Sequence, residues 1–345
     1  MTTPRMPIPP LAPATETGRL GACQIKRLWS RTLRRRAGQP DPDDGDDPLD
    51  PLVLHALGIG LEQGMGHLFA AAPDFDAFER WIVDTAGEPT AEAVARLNAA
   101  VAGAPIPPAT RARLDHIGAL PAVLDAADLA HWERHGYVIL RDAIPADSRD
   151  AAAEAVWRHV GARPDEPDSW YGSRPQGVMV QYFQHPAFSA NRRAERIHKA
   201  FAQLWGHADL WPSVDRVGFH PPERPGFRSQ RPPLHWDVSL VTPIPFGTQG
   251  ILYLTDTPPE QGALSLVPGF QHRIERWLAE LPPDADPRHE SFESQARPIG
   301  ARAGDMVIWH QALPHGPGPN RGALPRLVQY LNLAPARPPK QAEWR

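Results

Sequence analysis

Three places in the chain carry a histidine two residues before a carboxylate: His131-Trp-Glu133, His207-Ala-Asp209 and His235-Trp-Asp237. On an extended segment side chains repeat every two residues, so such a step delivers both ligands to one face. With one more histidine it forms the 2-His-1-carboxylate facial triad that holds non-haem Fe(II). The chain has fifteen histidines, so local context must discriminate. His131 lies in a helical stretch, where residues two apart diverge by about 200°. His207 sits between Trp205 and Trp211 at what reads as a helix end. His235-Trp-Asp237 follows Arg231-Pro-Pro-Leu234 and leads into Val238-Ser-Leu-Val241. Only this third step reads as strand.

The third ligand must come from elsewhere in the sheet, and His310 and His315 are the candidates. His310 ends the strand-like run Asp305-Met-Val-Ile-Trp309-His310 among bulky neighbours and reads as a wall residue. His315 opens His315-Gly-Pro-Gly-Pro-Asn320. Small residues there leave room for a metal and a bidentate cosubstrate, so His315 is preferred. Eleven residues on, Arg326 starts a strand whose alternate residues Arg326, Val328, Tyr330 and Asn332 share one face. An inward guanidinium is costly unless it meets an anion. A dicarboxylate would supply one, bound as a two-pronged fork. The structural alternative is a salt bridge at a strand end.

These residues need rigid strands to position them. From about residue 126 the chain reads as a short helix over 127–135 ended by Gly136, a strand Tyr137–Leu140 and an amphipathic helix 146–160. Short strands broken by Pro and Gly follow at Val178–Phe183, Val214–Phe219, Leu234–Val241, Gly250–Thr255, Ala263–Val267, Asp305–His310 and Arg326–Leu333. Many short strands with turn signals between them predict a closed or sandwiched antiparallel architecture. Residues 51–125 read as helical, with Phe75, Phe78, Trp81 and Ile82 at helical spacing. Residues 1–50 hold a basic run, Arg31-Thr-Leu-Arg34-Arg35-Arg36, and an acidic run, Asp41–Asp47. Few large apolar residues lie between them, so a disordered tail is expected.

Composition narrows the class. Of 345 residues, 41% are hydrophobic and 22% charged, with a net charge of −4. That balance gives no electrostatic case for nucleic-acid binding. The lone Cys23 excludes a disulfide framework and a cysteine-based zinc site. No apolar run approaches a membrane span, and no apolar core marks a secretory signal. The expected location is the cytoplasm, although the arginine-rich first 40 residues loosely fit a transit peptide. Proline, at 42 residues, keeps long helices from dominating. Arginine makes up 33 of the 36 basic residues, which reads as base-composition bias in the gene.

Taken jointly, these motifs resemble the phytanoyl-CoA dioxygenase family over roughly residues 127–335. The segments that carry the likeness are His235-Trp-Asp237, Gly262-Ala-Leu-Ser-Leu-Val-Pro268-Gly269-Phe-Gln-His272, Gly304-Asp305, His315-Gly-Pro-Gly-Pro-Asn320 and Arg326. The opening His135-Gly-Tyr-Val-Ile-Leu-Arg-Asp-Ala-Ile-Pro145 is similar too. The resemblance implies a mainly β fold with flanking helices: a double-stranded β-helix (jelly-roll, cupin-like) core after an N-terminal helical extension. The expected organisation is a tail over 1–50, the extension over 51–125 and the dioxygenase domain over 126–345. It further implies Fe(II) bound by His235, Asp237 and His315, with 2-oxoglutarate and O2 as cosubstrates. Arg326 would hold the distal carboxylate of 2-oxoglutarate. Gln181 and Tyr253, on earlier strands, are candidates to touch the cosubstrate, with an ordinary core role as the alternative for each.

Pro317 stands where many relatives carry a serine that helps hold that carboxylate, so Arg326 needs a different helper here. Asp237 separates this chain from related halogenases, which have a small residue in its place. Hydroxylation of a small-molecule substrate is therefore the default outcome, with CO2 and succinate released. The loops 161–177, with Trp170 and Tyr171, and 221–233 should line the substrate pocket. Arg224, Arg228 and Arg231 in the second loop are candidates to meet an anionic substrate, though a solvated loop is preferred. A rival reading is a jelly-roll binding module without oxo-acid turnover, and the joint presence of three ligands and Arg326 speaks against it.

Overall fold

The computed structural model describes residues 8–40, 49–172, 177–282, 284–339, 341 and 343–345. The acidic run Asp41–Asp47 and loop residues 173–176 lie outside the described residues. The chain forms two compact units. One holds Met1–His116 with Pro335–Arg337, the other Ile117–Ala334 with Pro338–Arg345. Among the described residues no helix is long and apolar enough to cross a membrane.

The first unit is helical: α1 (Ile25–Arg36), α2 (Leu49–Ala56), α3 (Leu61–Ala71), α4 (Phe75–Ala86), α5 (Ala91–Ala102) and α6 (Pro108–Ala119), which runs past the division. The helix α1 lies inside the stretch expected to be a disordered tail, and this corrects that expectation. Ile25, Leu28 and Leu33 recur at helical spacing and are buried. Counting apolar residues underrates such a stripe. Within the basic run, Arg31 is 2% exposed and donates from Nη1 to Asp50 Oδ2 at 2.7 Å. Arg34, Arg35 and Arg36 fill the last turn, where cations complement the helix dipole.

The second unit carries helices α7 (Ala126–His135), α8 (Ala146–Val160), α9 (Pro186–Arg192), α10 (Glu195–Trp205) and α11 (Ile274–Glu280). Its strands are β1 (Tyr137–Leu140), β2 (Met179–Val180), β3 (Trp211–Pro212), β4 (Val217–His220), β5 (Thr248–Tyr253), β6 (Leu264–Leu266), β7 (Arg297–Ile299), β8 (Met306–His310), β9 (His315–Pro317), β10 (Arg326–Tyr330) and β11 (Leu333–Ala334). Asp125 caps α7 by accepting from the Asp128 amide, and Gly136 ends it at φ 74°, a left-handed turn that suits glycine.

A six-stranded antiparallel sheet runs β1-β8-β5-β10-β4-β2. A three-stranded sheet runs β7-β6-β9, and β11 pairs with β3. Alternation assigns the two faces of the larger sheet. Leu140, Phe219, Leu252, Ile308 and Leu327 point to a core that α8 and α10 help build through Ala155, Val156, Ile197 and Phe201. Ile251, Tyr253, Val307 and Val328 point the other way, to a second core shared with Leu264, Leu266 and Ile299 of the smaller sheet.

The expectation of a mainly β protein is corrected: about 40% of the described residues are helical and 15% strand. The strands are short, one face of the large sheet is covered by helices, and the named elements of the first unit are all helices. Two strand assignments also differ. The run Val178–Phe183 keeps only β2. The run Leu234–Val241 forms no strand, and its pairing is the single antiparallel bridge His235↔His315.

Candidate active site

That bridge builds the centre of the site. The His235 amide donates to the His315 carbonyl at 2.9 Å, and the His315 amide returns the bond at 3.0 Å. The segment holding His235 thus lies along β9, at the open edge of the smaller sheet. Trp236 faces away, buried against Phe270, Trp277 and Phe292, with its indole N–H donating to the Ala312 carbonyl at 2.9 Å. Arg288 donates to the carbonyls of Trp236 and Val238 at 2.9 and 2.8 Å. A segment without strand pairing therefore still presents His235 and Asp237 to one side.

One ligand atom from each of His235, Asp237 and His315 lies within 4.8 Å of the others. Asp237 Oδ2 is 3.2 Å from His315 Nε2, and Asp237 Oδ1 is 3.5 Å from His235 Nε2. His235 Nδ1 stands 2.8 Å from the Pro233 carbonyl, and His315 Nδ1 stands 3.1 Å from that of Leu313. A carbonyl only accepts, so each Nδ1 carries a proton, and each ring turns its Nε2 toward Asp237. Two imidazole nitrogens and a carboxylate converging on one point are the donor set of a facial triad, so the site fits a divalent metal. Burial alone would raise the Asp237 pKa. Hydrogen bonding with His235 and His315 outweighs it and holds the carboxyl well below the usual carboxylate range. The same contact raises the His235 pKa.

Gln249 on β5 was not foreseen. Its amide donates to Asp237 Oδ2 at 2.6 Å, and its carbonyl oxygen accepts from the Trp309 indole at 2.9 Å. Both face inward by strand alternation, and that was the one signal available in the sequence. His310 faces the other way. It packs against Trp132 and Phe246 and accepts from the Ala312 amide at 3.0 Å. Burial, then the nearby His272, lowers its pKa to about 4.

The three residues open onto a cavity of about 390 Å³, whose wall includes Val178, Met179, Gln249, Leu264, Arg326 and Tyr330. Arg326 is 1% exposed. Its Nη1 donates to the Gly262 carbonyl at 2.6 Å, while Nε and Nη2 have no hydrogen-bond partner among the described residues. A buried guanidinium with two unmet N–H groups calls for an anion, and one carboxylate of a dicarboxylate meets that need.

Two other candidates for cosubstrate contact fall elsewhere. Tyr253 is fully buried. Its hydroxyl donates to the Ile299 carbonyl and accepts from the Leu264 amide, both at 3.0 Å. It braces the two sheets and does not line the cavity. Gln181 is exposed just beyond β2, and its neighbours Val178 and Met179 line the cavity instead. Trp170 and Tyr171 also stand outside the cavity wall. The Tyr171 hydroxyl donates to the Pro222 carbonyl at 3.0 Å, and Arg224 stacks 3.5 Å over the Tyr171 ring while pairing with Asp168. That arginine is engaged within the protein.

The model of the phytanoyl-CoA dioxygenase family matches residues 132–328. The chain belongs to that family, and with it to the iron- and 2-oxoglutarate-dependent non-haem enzymes. A Dictyostelium discoideum protein named for the same family is 20% identical over 257 residues, covering 59% of this chain and 74% of the relative. Among solved structures, AviO1 from Streptomyces viridochromogenes Tue57 is 23% identical, covering 64% of this chain and all of its own, at a TM-score of 0.45. EvdO2 from Micromonospora carbonacea var. aurantiaca, complexed with 2-oxoglutarate, is 18% identical, covering 66% and 96%, at a TM-score of 0.44.

Proposed function

We propose that the chain hydroxylates an unactivated C–H bond of a small-molecule substrate, converting 2-oxoglutarate and O2 to succinate and CO2. One observation carries this reading: three converging ligand atoms and a buried arginine with two unmet N–H groups line a single cavity. His235, Asp237 and His315 would hold the iron, and Arg326 the distal carboxylate of 2-oxoglutarate. Bound Fe(II) supplies the oxidising power, which no side chain of this chain has.

The protein's own part is orientation and exclusion of water. The Pro233 and Leu313 carbonyls fix the tautomers of the two histidines. Gln249 holds one carboxylate oxygen of Asp237. A facial triad leaves three metal positions open, and the cavity has room there for the oxo-acid. Leu264, Ile251 and Val178 on the cavity wall keep that space apolar.

Anaerobic addition of Fe(II) and 2-oxoglutarate should produce the visible charge-transfer band of the chelate. Aerobic incubation with a substrate library should release succinate along with a product 16 mass units heavier, by the principle that hydroxylation inserts one oxygen atom. Succinate release with product of any other mass would overturn the hydroxylase reading. Absence of the charge-transfer band would overturn the site itself.

A further inference from the structure

His220 ends β4 directly opposite Arg326 in the antiparallel register with β10. Opposed residues share a face, with Cβ atoms about 4.5–5.5 Å apart. Arg326 lines the cavity on that face, and His220 lies beside it, just behind the cavity wall. His220 is 0% exposed, and neither ring nitrogen has a hydrogen-bond partner among the described residues. Such burial is costly unless something completes it. Burial, then the charges of Arg326 and Arg231, lowers the His220 pKa to about 2, so the ring is neutral and carries one N–H.

Gly262 explains how the two side chains are held together. Its φ is +69°, and a Cβ there would lie 2.5 Å from His220 Nδ1. Its carbonyl accepts from Arg326 Nη1. One glycine backbone therefore lies against both the imidazole and the guanidinium. Leu264, Gly316 and Pro317 line the same cavity and carry no side-chain donor. Tyr330 is a further polar neighbour: burial raises its hydroxyl pKa, and the Arg326 charge opposes that rise.

We infer that His220 is a cosubstrate-binding residue whose ring N–H donates to the distal carboxylate of 2-oxoglutarate beside the Arg326 fork. This rests on 2-oxoglutarate being the cosubstrate of the cavity described above. It assigns to β4 the helper that Pro317 does not provide on β9. Two donors from adjacent strands would grip one carboxylate, which would take the His220 N–H and the open side of the Arg326 fork.

The test compares His220→Met, of similar reach but without an N–H, with His220→Gln, which restores a donor. Full-length Fe(II)-loaded protein is titrated anaerobically with 2-oxoglutarate and with 2-oxobutanoate, which has the same oxo-acid head and no distal carboxylate. Losing a hydrogen bond to a charged group should weaken 2-oxoglutarate binding about 10- to 100-fold in His220→Met. His220→Gln should regain most of that loss. Affinity for 2-oxobutanoate should be equal in all three proteins. Unchanged 2-oxoglutarate affinity in His220→Met would overturn the inference. So would an equal loss for both oxo-acids, which would make His220 a packing residue. A wild-type protein that binds Fe(II) but neither oxo-acid would overturn the cosubstrate reading, and this inference with it.

Discussion

The two faces of the six-stranded sheet come from the same strands, one residue out of step. On β8, Met306 and Ile308 face the helices, while Val307 and Trp309 face the smaller sheet. On β10, Leu327 faces the helices, and Arg326 and Tyr330 reach the cavity. The helix side is closed by apolar packing, and Gln329 there bonds to Asn191 and the Phe188 carbonyl. The other face keeps nitrogens unmet among the described residues at Arg326, which lines the cavity, and at His220 opposite it. The difference teaches where binding is built: on the face whose polar groups the fold leaves for a ligand.

Substitutions on the cavity face should remove function and leave the fold. The largest effect is expected at the metal ligands. His235→Ala, Asp237→Ala and His315→Ala should each abolish turnover and iron binding with unchanged circular dichroism. His310→Ala, on the helix face, should keep iron. An iron-free His310→Ala beside an iron-loaded His315→Ala would reverse the assignment of the third ligand.

Arg326 comes next. Truncating one member of a shielded, bidentate charge pair typically costs about 2–5 kcal/mol, so Arg326→Ala should bind 2-oxoglutarate roughly 30- to 3,000-fold more weakly. Arg326→Lys should recover part of this as a point charge without the fork. Iron binding without cosubstrate should hold. Equal 2-oxoglutarate affinity in all three proteins would return Arg326 to a structural role.

A smaller effect is expected at Gln249. Gln249→Leu leaves one Asp237 oxygen without its 2.6 Å partner, and loss of such outer contacts weakens metal affinity about 10- to 100-fold. Competition with a chelator reads this out. An unchanged iron affinity would make the contact incidental.

The helix face should answer in stability alone. Leu252→Ala should cost about 2–5 kcal/mol of unfolding free energy with unchanged 2-oxoglutarate affinity per folded molecule. His310 adds a pH signature. Its pKa falls from 6.5 to about 4 on folding, so between those values the unfolded chain binds more protons. The stability it contributes is complete above pH 6.5 and is lost as pH falls toward 4. His310→Phe should flatten the urea midpoint over that window, and an unaltered pH dependence would discount the burial of His310.

What could be read from the sequence was local. The two-residue step from His235 to Asp237 carries its geometry in the repeat of an extended chain, and Arg326 shows its side of β10 the same way. The helices α7 and α8 announce themselves through Asp125, Gly136 and their apolar spacing. Residues 25–36 show the same principle missed: Ile25, Leu28 and Leu33 repeat at helical spacing in a stretch where composition suggested a tail.

What only the tertiary structure decided was which distant residues meet. His315 lies beside His235 because β9 pairs with that segment across 80 positions of sequence. Gln249 reaches Asp237, Arg288 holds the carbonyls around it, and His220 falls opposite Arg326, each through a strand register or loop path that no spacing encodes. Tyr253 and Gln181 mark the same boundary. Alternation turns Tyr253 inward, but its neighbours on β6 and β7 occupy its hydroxyl. The early end of β2 leaves Gln181 outside. Side-chain direction is a property of one strand, whereas contact is a property of two, and the second strand is set by the packing of the whole unit.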